Sequence, residues 1–244
     1  MGDFFREDLR GSRFERVDLS GSEFSASDLN DTRFRGVELV DVDIHGEIVN
    51  VTINGVDVAP LVEAELDRRM PERALMRPSD ADGFRTAFAT LDVLWAGTLD
   101  RARALPPEAL HEQVDEEWSF IETLRHLGFA HACWVGGVML ADPSPWHPLD
   151  LPWDEAPTVD GVPWDRDVRP SLDEVLAVRA QRRTTVAGVL DGLTDEELSA
   201  PVTSATPFLQ DAEGLTVAQC LGVVVNEEWE HRLYAERDLS ALSA

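Results

Sequence analysis

Large apolar residues recur at every fifth position through the first fifty residues, at Phe4, Leu9, Phe14, Leu19, Phe24, Leu29, Phe34, Leu39, Ile44 and Val49. Neither the 3.6-residue period of a helix nor the two-residue period of a strand gives this spacing, so the segment is a repeat in its own right. Two residues before most of the centres stand Ser12, Val17, Ser22, Ser27, Thr32, Val37 and Val42, small or β-branched side chains that fit a narrow interior. Arg10, Arg13, Asp18, Asp28, Arg33 and Arg35 occupy positions between them, as a thin coil with a polar outside requires.

The period changes after residue 55. Asn54-Gly55 signals a turn, and Pro60, Pro71 and Pro78 bracket a short helix from Leu61 to about Arg69. This divides the chain into a repeat segment over 1–55, a linker over 56–79 and a helical domain over 80–244. The first long helix is expected from Asp80 to about Ala104, capped by Ser79 or Asp80, with Phe84, Phe88, Leu91, Leu94 or Trp95, and Leu99 on its inner face. The second runs from Ser119 to Leu140 and opens on the capping pair Ser119 and Glu122. The third opens on Ser171 and Glu174 and continues to about Leu193. The fourth begins after Thr216 and ends near Leu239. Four such helices predict an all-α, up-down four-helix bundle.

Between the second and third helices, residues 142–170 carry seven prolines and three tryptophans, Trp146, Trp153 and Trp164. Prolines at that density exclude a regular element, while the tryptophans require the loop to pack down. It reads as a lid over the bundle.

Composition removes several functions. The formal net charge of −26 repels phosphate backbones and anionic membrane surfaces, so neither nucleic acid nor membrane is an expected partner. All 21 basic residues are arginine, which excludes Schiff-base chemistry and a phosphate-loop lysine. No apolar run spans a bilayer, and Cys133 and Cys220 sit in apolar helix contexts; a reducing cytoplasm is expected.

The candidate chemistry lies on the second and fourth helices. Val217, Cys220, Val224, Glu227, His231, Tyr234 and Asp238 follow 3-4 spacing, so a carboxylate and an imidazole interrupt an inward apolar stripe. Ser119, Glu122, His126, Phe129, Cys133, Gly136 and Leu140 form the corresponding stripe on the second helix. Glu227 and His231, at i and i+4, present two ligands from one helical face, and His126 supplies a third. Two histidines and one carboxylate form a facial metal set with open positions. The alternatives are a hydrogen-bonded core histidine and a Glu227 neutralised by Arg232 or Arg237. Glu228 is the rival carboxylate, rotated toward Leu221 and Val225. His131 fits the apolar stripe of Phe120, Leu124, Leu127 and Trp134 and reads as a satisfied core histidine.

Two resemblances follow from these residues. The five-residue period resembles the pentapeptide-repeat family, which implies a short right-handed quadrilateral β-helix with the central Phe or Leu inside and an end suited to stacking or to a homodimer. The segments DEEWSFIETLRHL at 115–127 and NEEWEHRLYAERDL at 226–239 resemble the DinB-like superfamily of four-helix metalloproteins. In that family a histidine of the second helix, here His126, and a histidine-x-x-x-histidine pair of the last helix bind the metal. His231 matches the second of that pair, and Glu227 stands where the first would be.

The resemblance implies a divalent metal, zinc, nickel or iron, and a low-molecular-weight thiol of the mycothiol type as cosubstrate in an S-transferase or isomerase acting on a small molecule. The lysine-free, arginine-rich composition suits a high-GC actinobacterium that supplies mycothiol. Tyr234 would donate a hydrogen bond near the metal, Glu122 would orient the His126 imidazole, and Trp118 would wall the pocket. Glu228 or Glu122 would act as base if the reaction were hydrolysis instead. A non-catalytic metal-binding interaction protein is the third reading.

Overall fold

Each long helix opens on a side chain that takes up a free N–H of its first turn. The computed structural model describes residues 4–25, 27–162 and 164–243. It contains α1 (Ala59–Arg69), α2 (Ala81–Arg103), α3 (Phe120–His131), α4 (Leu172–Gly192), the short α5 (Asp195–Leu198) and α6 (Val217–Leu242). Asp80 accepts from the Gly83 N–H to start α2. Ser119 with Glu122, Ser171 with Glu174 and Thr216 with Gln219 form capping boxes at α3, α4 and α6. Each such cap is worth about 1 kcal/mol.

The expected single helix from Ser119 to Leu140 needs correction. After His131 the winding changes to a π-helix over Ala132–Met139. Gly136 and Gly137 weaken the α-helical preference there, and both are held in close approach to other segments. A Cβ on Gly136 would lie 2.7 Å from the Pro145 Cβ, and one on Gly137 would overlap the Thr206 methyl.

The helices meet in one apolar core built from Phe84, Phe88, Leu91 and Trp95 of α2, Leu124 and Leu127 of α3, Val175 and Val186 of α4, and Leu221, Val224, Val225 and Trp229 of α6. Burying each large side chain contributes about 1.5–3 kcal/mol. α3 packs against both α4 and α6, and α6 also packs against α2. Every residue of α3 except Glu122 is buried, because the 142–170 loop covers the side that the helices leave open.

Arg125 ties that loop down. Its guanidinium is 2% exposed and donates to the Leu149 carbonyl at 2.9 Å, to those of Arg166 and Val168 at 3.4 and 3.3 Å, and to that of Asp165. Both limbs of the loop are thereby fastened to one side chain. Asp150 adds a buried ion pair with Arg182 at 2.8 Å and accepts from the His147 N–H, while its Oδ1, resting over Gly128, has no hydrogen-bond partner among the described residues.

Burial raises the Asp150 carboxyl to about 6, against the opposing pull of Arg182. A raised acid favours the folded state when protonated. This contribution is therefore complete below the ordinary pKa near 3.8 and is lost as pH rises through about 6. Relative to Asp150→Asn, the parent should lose about 2 kcal/mol of stability between pH 4 and pH 7, measured by urea unfolding at each pH. A parallel pH dependence for the two proteins would contradict this.

The chain divides into two units, Met1–Glu47 and Ile48–Ala244. The second begins with a hairpin that pairs Thr52–Ile53 with Val56–Asp57. Asn54 and Gly55, at φ 52° and 82°, form the turn that matches strand twist. In the first unit the five-residue period appears as backbone geometry. φ is positive at Arg6, Gly11, Arg16, Gly21, Asp31, Gly36, Asp41 and Gly46, each two residues after an apolar centre. The N–H groups of Ser12, Ser22 and Thr32 close turns onto the carbonyls of Leu9, Leu19 and Leu29. No strand forms among the described residues of 4–50. The centres expected inside a coil are exposed, Phe4 at 71%, Phe14 at 58% and Phe24 at 61%. The repeat closes its turns locally and leaves the rings of its centres exposed.

Candidate metal centre

His126 projects from the middle of α3 and meets Glu227 and His231, one turn apart on α6. One ligand atom from each lies within 4.8 Å of the other two. The Glu227 Oε2 sits 3.4 Å from the His126 Nε2 and 3.1 Å from the His231 Nε2. His126 is buried, and its two partners are half-buried, so the site is accessible from one side.

The tautomer of His126 follows from its other nitrogen. Nδ1 lies 3.1 Å from the Leu151 carbonyl oxygen, which only accepts, so Nδ1 carries the proton and the Nε2 lone pair faces the site. Burial opposes ionisation of Glu227, but the His126 and His231 rings beside its Oε2 outweigh it and hold the carboxyl at about 2. No arginine pairs with Glu227 among the described residues. Arg232 lies toward Glu236 at 3.7 Å, and Arg237 pairs with Asp238 at 2.7 Å and with Glu117. An ionised carboxylate between two imidazoles, with no cation of its own, is a donor set that fits a divalent ion.

Aromatic rings wall the site. The Trp118 indole lies 4.5 Å from the His126 ring and stacks on His231 at 5.9 Å, and its Nε1–H donates to Asp154 at 3.2 Å. Asp115 and Glu116 both take the left-handed conformation just before it, a local strain that fixes the approach of Trp118. Phe129, one turn after His126, gathers Trp146, Trp153 and Phe208 at centroid distances of 5.0 to 6.1 Å. Tyr234 lies edge-on to His231 at 6.0 Å, and burial raises its phenol pKa.

Two expected site residues stand elsewhere. Glu122 does not reach His126: its Oε2 accepts from the Ser119 N–H and hydroxyl at 2.8 and 2.7 Å. The Leu151 carbonyl does the orienting instead. Glu228 is fully buried, with one oxygen 2.7 Å from the His131 Nε2 and the other 2.6 Å from the Arg179 Nη2. Burial opposes its ionisation, but Arg179 and His131 prevail and lower its pKa. A carboxylate so enclosed is removed from the site, which leaves Glu227 as the carboxylate that faces the imidazoles. His131 lies in the core, as expected, paired with Glu228 through Nε2, while its buried Nδ1 has no partner among the described residues. Arg125, Leu151 and Phe208 gave no sequence signal beyond an arginine inside the apolar run of α3.

Comparison with known proteins agrees with this geometry. The family model of pentapeptide repeats matches residues 8–46 in eight copies. No curated protein and no solved structure matches the chain. The DinB superfamily model matches residues 90–235, a span that contains α3, α6 and all three converging side chains. The chain belongs to the DinB superfamily.

Proposed function

We propose that this protein is a metal-dependent enzyme that uses a low-molecular-weight thiol, of the mycothiol type, in S-transfer to or isomerisation of a small electrophile. The observation that carries the reading is the convergence of the His126 Nε2, the Glu227 carboxylate and the His231 Nε2 on one point, with His126 oriented by Leu151. A divalent ion bound there, zinc, nickel or iron, supplies a Lewis acid that lowers the pKa of a thiol. His126, Glu227 and His231 would hold it. Trp118, stacked on the His231 imidazole and tilted against that of His126, walls one side of the site. Tyr234 keeps its proton and is the proposed hydrogen-bond donor beside His231. Glu122 is committed to its cap and Glu228 to Arg179, so neither is free to serve as the base that the hydrolytic reading gives it, which favours the thiol reading. The protein is further proposed to act in the cytoplasm, where Cys133, whose thiol burial raises to about 11, stays an inert core residue.

The five-residue repeat supports a separate structural proposal, a right-handed quadrilateral β-helix, on its unbroken period and the left-handed residue in most of its units.

Metal analysis of purified protein followed by thiol titration tests the functional reading. About one equivalent of divalent metal per chain is expected, with a change in the visible spectrum of the cobalt-substituted protein when a low-molecular-weight thiol is added. Protein that retains no metal, and whose melting point is indifferent to a chelator, would end the proposal. Tight metal without any response to thiol would turn it toward hydrolysis.

A further inference from the structure

We infer that His131, Arg179 and Glu228 form a buried clamp that sets the rotation and axial position of α6, and so keeps Glu227 and His231 opposite His126. This rests on the metal reading above, and it names positioning residues rather than catalytic ones.

All four long helices meet at Glu228. Its carboxylate is bound by His131 of α3 and Arg179 of α4. Its backbone carbonyl accepts from the Trp95 Nε1–H of α2 at 3.3 Å, and the Arg179 guanidinium lies 4.6 Å above the Trp95 ring. The next residue toward the N-terminus is the ligand Glu227. A shift of α6 by one residue, or a rotation of one helical step, would break all three hydrogen bonds to Glu228 at once.

Stability alone does not call for such a group. A buried ion pair is often no more stabilising than apolar side chains of the same shape, whereas separating its partners is severely unfavourable. The apolar surface of α6 beside Glu228 consists of the aliphatic Leu221, Val224 and Val225 and the indole of Trp229. Similar aliphatic side chains discriminate weakly between neighbouring registers, since cores accept hydrophobic exchange at modest cost. Arg179 discriminates strongly, because displacing Glu228 leaves its guanidinium buried and unpaired. His131 adds to this: its Nδ1 has no partner among the described residues, so Glu228 supplies the hydrogen bond its ring makes there. With acids at both 227 and 228, something must decide which one faces the imidazoles, and the clamp makes that choice.

Cobalt(II) titration, followed by visible absorption, tests the clamp on the full chain, with the melting temperature of each metal-free protein measured in parallel. The parent should bind one cobalt per chain. Arg179→Met with Glu228→Gln removes both charges and keeps approximate shape; its metal-free melting temperature should stay within a few degrees of the parent. Its cobalt affinity should fall at least tenfold, with an altered absorption band. Trp95→Phe, which removes the donor to the Glu228 carbonyl, is the milder variant, and a loss of at least threefold is expected. Parent-like affinity and spectrum in whichever of these variants fold would overturn the clamp. Failure of the parent itself to bind cobalt would instead overturn the metal reading.

Discussion

His231→Ala should bind no stoichiometric divalent metal, and His126→Ala should behave alike. Each removes one of three converging donors, and two remaining donors at this spacing leave the ion mostly to water. A loss of at least 100-fold in affinity is expected, beyond the 10- to 100-fold that perturbing an orienting partner alone produces. Stability gives an independent readout. A metal at 100 to 1,000 times its Kd stabilises the folded state by about 3–4 kcal/mol, so the parent should melt about 5–15 °C higher with metal than after chelation. Neither variant should show that difference. His231 lies on the accessible side of the site and outside the apolar core, so the metal-free melting temperature of His231→Ala should stay close to the parent's. His126→Ala also takes the buried partner from the Leu151 carbonyl, which should lower its metal-free stability by about 1–3 kcal/mol. Variants that keep both the metal content and the chelator response would show that the ion, if any, is held elsewhere.

Arg125→Met should destabilise the protein by about 2–4 kcal/mol. The substitution keeps much of the volume but strips donors from the carbonyls of Leu149, Asp165, Arg166 and Val168. An unsatisfied buried polar group costs about 1–3 kcal/mol, and relief from burying a cation offsets part of the sum. The expected fall in melting temperature is about 5–15 °C, with new proteolytic cleavage between residues 142 and 170. Metal affinity should drop 10- to 100-fold as well, because a loosened loop takes the Leu151 carbonyl away from the His126 Nδ1. Calorimetry, limited proteolysis and metal titration check the three effects. An unchanged melting point and cleavage pattern would mean that Arg125 does not hold the loop.

Much of the helical domain was legible because its signals are local. Asp80, Ser119, Ser171 and Thr216 announce helix starts by side chains that bond within one turn. The apolar stripes of α3 and α6 place His126, Glu227 and His231 inward by geometry that needs no partner helix. The π-helical winding after His131 was not legible, because it depends on Pro145 and Thr206 arriving against Gly136 and Gly137 from other segments. The loop's role escaped for the same reason. Its tryptophans show that it packs, but nothing in the chain says that the Leu151 carbonyl, rather than the Glu122 carboxylate, meets His126.

The neighbouring acids of α6 mark the same boundary. The sequence by itself determined that carboxylates at 227 and 228 stand on adjacent helical faces, one beside the imidazole stripe and one beside Leu221 and Val225. Only the tertiary structure decided what each does, since it alone brings Arg179 and His131 from two other helices to Glu228 and leaves Glu227 with no cation but what His126 and His231 can help it hold. Local spacing sets direction around a helix axis; the charge that a side chain meets in that direction comes from residues distant along the chain, and that meeting sets its chemistry.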